Sequence, residues 1–221
     1  MSNKIAIISP HPDDETLGCG GTILREKKIG SKIYWINITC ISEKYGWKKN
    51  IVSSREKEIK KVCLKYEFDG FYNLNLPSTK LDSIPISFII EQISNLMRKI
   101  KPNIIFMPNI HDIHTDHQVT AQAVLACTKW FRYPFIKKCL AYETLSETHF
   151  SNSQISFKPN VYIDISKFLN KKIQIMKIYK SEIEDYPSPR SEKSIKTLAN
   201  FRGSSSGFEA AESFELIFER S

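Results

Sequence analysis

Two short polar runs in the 221-residue chain hold side chains able to bind a metal and move protons. The first is His11-Pro12-Asp13-Asp14-Glu15; the second starts at Asn109 and ends in His114-Thr115-Asp116-His117. Four of the five histidines lie in these runs. A hydrolytic metal site takes three ligands from His, Asp and Glu and keeps one position open. His11 and Asp14, three apart across a turn held by Pro12, can aim at one point, and His117 can complete the set. Asp13 is then left unligated beside the metal, placed to take a proton from water that the metal has acidified. His114 lies three residues before His117 and shares a face with it at a helix start. As an unligated imidazole it can stabilise an oxyanion or protonate a leaving amine. Asp116 can hold one of the imidazoles in a single tautomer.

A plainer role competes with each residue taken singly. Asp14-Glu15 suits a helix N-terminus, where carboxylates satisfy free backbone N–H groups. A lone loop histidine such as His111 or His149 is usually just polar. The two runs together outweigh that reading, because each residue type has a usage of only a few per cent and joint chance is small.

The elements around the runs say where they stand. Residues 5–8 are a short apolar run stopped by Ser9-Pro10, as in a buried parallel strand. A helix from Asp14 to the lysines before Gly30 follows. Residues 33–39 predict a second strand, 53–66 a second helix and 71–74 a short third strand. Pro85 opens a third helix, 104–107 is another buried strand, 116–130 a helix and 138–142 a strand. Strand alternating with helix at this spacing predicts a Rossmann-like three-layer α/β/α sandwich with a mainly parallel sheet. Both polar runs directly follow strands, where open parallel sheets bind their ligands. The last third is read as a strand at 161–165, a helix at 166–184, a break at Ser188-Pro189-Arg190 and a helix at 191–201. A serine-rich loop at 202–207 and a mixture of helix and strand at 209–218 complete it. No repeat or linker marks a boundary, so one domain over 1–221 is expected.

Hydrophobic residues at 41% and charged residues at 25% fit an ordered globular protein and exclude the composition of a disordered one. The net charge of +8 raises the question of an anionic partner. Its lysines are dispersed in pairs such as Lys27-Lys28 and Lys171-Lys172, and no arginine-rich tract or nucleic-acid motif appears. Charge therefore points weakly to a substrate bearing phosphate, carboxylate or a nucleotide, and not to nucleic acid. Five cysteines without Cys-x-x-Cys spacing read as reduced thiols. The N-terminal apolar run is too short for a signal peptide or a membrane span, so a cytoplasmic protein is expected; self-association is compatible with the sequence.

His11 through Thr22, His-Pro-Asp-Asp-Glu-Thr-Leu-Gly-Cys-Gly-Gly-Thr, resembles the signature of the PIG-L/LmbE-like deacetylase family. His114-Thr115-Asp116-His117 is similar to its second motif, His-x-Asp-His. Weaker blocks resemble the segments at Ser54-Arg55-Glu56, Tyr142-Glu143, Arg202-Gly203 and Glu212-Ser213-Phe214. The resemblance implies a Rossmann-like sheet, a Zn2+ or Fe2+ ion and N-deacetylase activity on N-acetylglucosamine-type conjugates. It implies His11, Asp14 and His117 as ligands, Asp13 as base, and His114 as electrophilic or acid partner positioned by Asp116. Arg55 stands where the family places an arginine for the substrate, although the Arg55-Glu56-Lys57-Glu58 run also suits an exposed helix start. The family's membrane-bound branch carries a transmembrane segment that has no counterpart here.

Three other functions compete. Gly18-x-Gly20-Gly21 suggests dinucleotide binding, but the glycines come too late after the strand and follow an acidic loop that repels a pyrophosphate. They are read instead as giving close helix packing and room beside the site. A non-catalytic sugar-binding protein has no need of an unligated Asp13. A hydrolase of another amide or ester differs only in substrate. Tyr45 and Trp47 can stack on a sugar or anchor a loop, and the sequence does not choose between these.

Overall fold

The computed structural model describes residues 2–150 and 157–221. The strands and helices, in chain order, are β1 (Lys4–Ser9), α1 (Asp14–Lys28), β2 (Lys32–Cys40), α2 (Lys49–Tyr66), β3 (Gly70–Pro77), α3 (Ile86–Ile100) and β4 (Ile104–Pro108). They continue with α4 (Thr115–Ala126), β5 (Lys138–Tyr142), β6 (Val161–Asp164), α5 (Leu169–Met176), α6 (Glu192–Ser204) and β7 (Ala211–Glu219). All seven strands join one sheet in the order β3-β2-β1-β4-β5-β7-β6. The first five run parallel, and β7 lies antiparallel to both β5 and β6. This is the expected three-layer α/β arrangement.

Alternation along β1 shows how the layers form. Ile5 and Ile7 pack into one core with Leu17 and Ile23 of α1, Ile173 of α5 and Ile195 of α6. Ala6 and Ile8 face the other core, with Ile89, Ile93 and Met97 of α3 and Val124 of α4. Successive strand residues point to opposite faces, so a strand apolar at every position must be covered on both sides. Each isoleucine so buried stabilises the fold by about 1.5–3 kcal/mol.

The glycines of α1 bring that helix unusually close to its neighbours. A Cβ at Gly18 would stand 2.3 Å from the Tyr142 ring, and one at Gly21 would stand 2.6 Å from Ile165. These glycines serve packing, and the space they leave is filled by side chains rather than kept open beside the site. Gly18→Ala is expected to destabilise the protein by about 1–3 kcal/mol, since the ring is buried and its hydroxyl donates to the Ile8 carbonyl. Urea denaturation checks this; an unchanged midpoint would show that the helix can shift at no cost.

Departures from expectation concentrate in the last third. The helix expected over 166–184 is confined to α5, because the following residues are drawn into tertiary bonds. The Tyr179 hydroxyl donates to Glu15, and the Lys180 N–H to Glu58. The serine run expected as a loop begins inside α6, where Ser204 and Ser205 hydroxyls bond back to the Phe201 carbonyl. The mixed segment at 209–218 is a strand, held by partners on both sides. The helix expected over 116–130 stops at Ala126. No helix among the described residues is long and apolar enough to cross a membrane.

Candidate metal centre and active site

In sheet order, β1 stands between β2 and β4, so the chain winds outward on one side and then restarts on the other. The loops leaving β1 and β4 therefore meet at the carboxyl edge, at the topological switch point. The first carries His11 to Asp14 and the second carries Asp112 to His117.

The two loops bring together three ligand-capable residues. Asp14 Oδ2 lies 3.3 Å from His11 Nδ1 and 3.3 Å from His117 Nε2. The ligand atoms of the three all fall within 4.8 Å of one another. A tetrahedral zinc site with bonds of 2.0–2.1 Å has ligand edges of about 3.3–3.4 Å, so the donor set fits such an ion. A second triple, His11, His114 and Asp116, also comes together. It is the poorer holder, because both Asp116 oxygens accept backbone N–H groups, Oδ2 from Thr79 at 2.7 Å and Oδ1 from Leu81 at 3.0 Å, whereas for Asp14 only Oδ2 does so among the described residues, from His11.

Behind each candidate histidine ligand stands a carboxylate. His11 Nε2 is 2.9 Å from Asp116 Oδ2, and His117 Nδ1 is 2.7 Å from Asp112 Oδ2. Such partners fix the ring and its tautomer and raise ligand basicity. The Asp116 carboxylate is thus in contact with His11 and not with His114, the partner that the family resemblance implied for it. What reaches His114 is the Asp116 backbone, whose N–H donates to Nδ1 at 3.0 Å. Asp112 was not expected at all. It lies five residues before His117 in a loop, a spacing that no helical or strand periodicity selects, and only the folded loop shows its contact. Asp112→Ala is expected to weaken divalent-metal affinity by about 10–100-fold, measured by competition with a chromogenic chelator.

The electrostatics favour a cation at this point. Burial pushes the His117 imidazole down, but Asp14 and Asp112 drive its pKa up to about 10. Burial likewise opposes a charge on His11, and Asp116 and Asp14 overcome it, raising that pKa to about 9. Asp14 is buried, which alone would raise its carboxyl, yet His117 and His11 hold it well below the usual range.

His114 behaves differently. It caps the N-terminus of α4, and burial together with the nearby His11 and His117 lowers its pKa. It is therefore neutral near pH 7, and with Nδ1 acting as acceptor its proton sits on Nε2, leaving an N–H donor. Asp13, just before α1, has φ 132, outside the range most side chains tolerate. Its N–H donates to Glu15 Oε2 at 2.9 Å. Its Oδ2 is buried and makes no hydrogen bond among the described residues; the nearest cation is Arg190 Nη1 at 3.4 Å. Burial first and Asp14 second raise the Asp13 carboxyl well above its usual pKa, while Arg190 pulls it back.

Arg190 is the second residue that sequence reading missed, since Ser188-Pro189-Arg190 registered only as a break. Besides Asp13 it meets Glu182 and Glu147. Arg55 lies on the same wall. It donates through Nη1 to the Pro12 carbonyl at 3.0 Å and through Nη2 to Ser181 Oγ at 2.7 Å, and it pairs with Glu182 and Glu58. It is thus tied to the turn that aims the first run. His11, Asp13, Arg55, His114 and Arg190 all line one open cavity of about 810 Å³.

A model of the PIG-L family, described as GlcNAc-PI de-N-acetylase, matches residues 6–128. The chain belongs to this family. The matched stretch runs from β1 to just beyond α4 and contains every candidate ligand together with Asp13 and His114. The chain is 24% identical to the diacetylchitobiose deacetylase of Thermococcus kodakarensis, over 97% of this chain and 83% of that protein. It is 23% identical to a probable N-acetyl-alpha-D-glucosaminyl L-malate deacetylase 2 of Bacillus cereus, over 83% of this chain and 86% of the relative. The solved N,N'-diacetylchitobiose deacetylase of Pyrococcus horikoshii shares the fold with a TM-score of 0.78 at 21% identity, covering 97% of this chain and 84% of that one.

Beyond the matched stretch, three weaker family-like blocks converge. Arg202 makes a bidentate pair with Glu143, through Nε at 2.9 Å and Nη2 at 2.6 Å, and Ser213 Oγ donates to the same carboxylate. Next to it Glu212 accepts from the backbone N–H groups of Gly21 and Thr22 and from Lys172 Nζ. These contacts tie β5, β7, α5 and α6 to the helix that begins at Asp14. They act on the site by holding α1 in place.

Proposed function

We propose that this PIG-L family member is a metal-dependent N-deacetylase that hydrolyses the acetamide of an N-acetylglucosamine-type sugar conjugate, releasing acetate and a free amine. The observation that carries this is Asp13: a cavity-lining residue beside a three-ligand set, whose buried Oδ2 makes no hydrogen bond among the described residues and meets only the Arg190 guanidinium, at 3.4 Å. A carboxylate oxygen with no hydrogen bond of its own keeps a lone pair free to receive a proton. The names of the curated relatives, both deacetylases of acetylated glucosamine derivatives, support the substrate class.

His11, Asp14 and His117 would hold the ion, for which Zn2+ is the first choice and Fe2+ fits the same nitrogen and oxygen donors. A divalent cation bound there supplies Lewis acidity to the acetamide oxygen and to water. Asp13 Oδ2 accepts the proton lost as the water oxygen bonds to the acetamide carbon. Neutral His114 offers its Nε2–H as a hydrogen bond to the oxygen on which charge gathers, and the proton held by Asp13 passes to the nitrogen as the C–N bond breaks. Asp116 keeps His11 in register throughout. Arg55 fixes the Pro12 turn and, from the cavity wall, contacts the sugar. The whole chain acts as one catalytic domain, since its single sheet is spanned by the contacts that hold α1.

Acetate release from a panel of N-acetylhexosamine conjugates, with Zn2+ or Fe2+ supplied, tests the reaction. If no conjugate yields acetate above the level of Asp13→Ala protein, the proposal is wrong.

A further inference from the structure

Hydrolysis occupies only the inner part of the cavity. Its outer wall is made by Tyr45, Trp47, Ile51, Val52 and Ile59, from the loop after β2 and the first turns of α2. Trp47 and Ile51 remain 41% and 39% exposed. Apolar side chains left open to solvent inside a concave site are where large apolar ligand groups bind. The loop that carries them is well fixed. The Tyr45 and Trp47 N–H groups both donate to the Ser42 carbonyl, Gly46 supplies the left-handed turn at φ 89, and the Tyr45 hydroxyl donates to the Asn75 carbonyl at 3.2 Å. Tyr45 therefore anchors the loop and leaves the Trp47 indole to the cavity.

The charges in the cavity point the same way. Its two guanidinium groups are already met by carboxylates: Arg55 by Glu58 and Glu182, Arg190 by Asp13, Glu147 and Glu182. Lys44 is the one lining Lys or Arg without a carboxylate partner among the described residues, and Glu56 lines the same cavity. The net charge of +8 is thus not concentrated where the substrate enters. Apart from Lys44, which stands beside Tyr45 at the loop, an anionic group would have to displace paired carboxylates to find a cation, and would lose those pairs in doing so. A neutral apolar group needs no such exchange.

We propose that this outer wall is an aglycone subsite for an uncharged aryl or alkyl group, so that the substrate is an acetamido sugar bearing a neutral apolar substituent rather than a phosphate or carboxylate. The sugar half of this statement rests on the deacetylase reading; the subsite itself is tested by binding alone. The probes are free-amine products that cannot turn over: phenyl glucosaminide, methyl glucosaminide and glucosamine 1-phosphate, each anomer measured by calorimetry on the zinc-supplemented protein.

Phenyl glucosaminide is expected to bind at least about tenfold tighter than the methyl compound, a difference of about 1.4 kcal/mol. Glucosamine 1-phosphate should bind no tighter than the methyl compound. Trp47→Ala should remove most of the phenyl advantage while changing the methyl affinity less than about twofold, and Ile51→Ser should remove part of it. Tighter binding of the phosphate than of the phenyl compound, equal phenyl and methyl affinities, a uniform loss in both variants, or no binding by any probe would each overturn the subsite. Acetate release from the N-acetylated phenyl compound is scored separately. A phenyl preference without acetate release would refute the deacetylase reading and leave the subsite standing.

Discussion

Asp14→Ala protein, purified and dialysed beside the wild type, should retain less than about a tenth of the wild-type divalent metal, with deacetylation lost in proportion. The reason is the position of one oxygen. Asp14 Oδ2 faces both His11 and His117 at 3.3 Å and also accepts the His11 backbone N–H at 2.9 Å. Removing it takes away one ligand, the charge that draws a cation between two imidazoles, and the bond that shapes the loop. A site with two remaining neutral ligands holds a divalent ion far more weakly. Elemental analysis of the bound metal decides the matter. Full metal occupancy in the variant would show that the ion sits elsewhere, with the His11, His114 and Asp116 triple as the alternative.

The adjacent residue should give the opposite result. Asp13→Asn protein should bind metal as the wild type does, yet lose about 10²–10⁴-fold in kcat, the range associated with removal of a positioned general base. Asparagine keeps the size of the side chain and cannot take up a proton. The KM should change little, because the carboxylate acts on water rather than on the sugar. Metal content measured beside steady-state acetate release separates the two aspartates. Loss of metal in Asp13→Asn would assign both to the ligand set, and near-normal turnover would remove Asp13 from the chemistry.

Much of this centre was legible in the linear sequence, for a physical reason. Both runs are local, and each is delivered by a strand whose apolar, two-faced pattern is unambiguous. Once β1 and β4 are neighbours in a parallel sheet, His11, Asp14 and His117 have little freedom to be apart. What escaped notice depends on contacts that no spacing encodes. Asp112 reaches His117 across a loop, and Arg190 arrives at Asp13 from a segment 177 residues away in number but adjacent in space, so neither has a periodic partner in sequence. In the last third the strand at 161–165 and the helix at 191–201 are found where expected, whereas the long helix over 166–184 is not, for a related reason. Tyr179 and Lys172 leave regular helical company, or are buried within it, to bond Glu15 and Glu212, and tertiary demand there overrides local propensity. Asp116 shows the limit of carrying a role over by motif. Its place between two histidines suggested a service to His114, whereas its carboxylate serves His11 in the other loop.

The backbone at Asp13, held at φ 132, has a consequence for how this protein can change. A residue with a side chain held in such a conformation costs on the order of 1–3 kcal/mol, and glycine would relieve it. Selection for heat tolerance alone should therefore favour Asp13→Gly, while the proposed role of Asp13 as base sets selection for turnover against it. Position 13 is thus a point where robustness and activity are in direct opposition, and a lineage released from its substrate should lose the aspartate there early, with its metal ligands still intact.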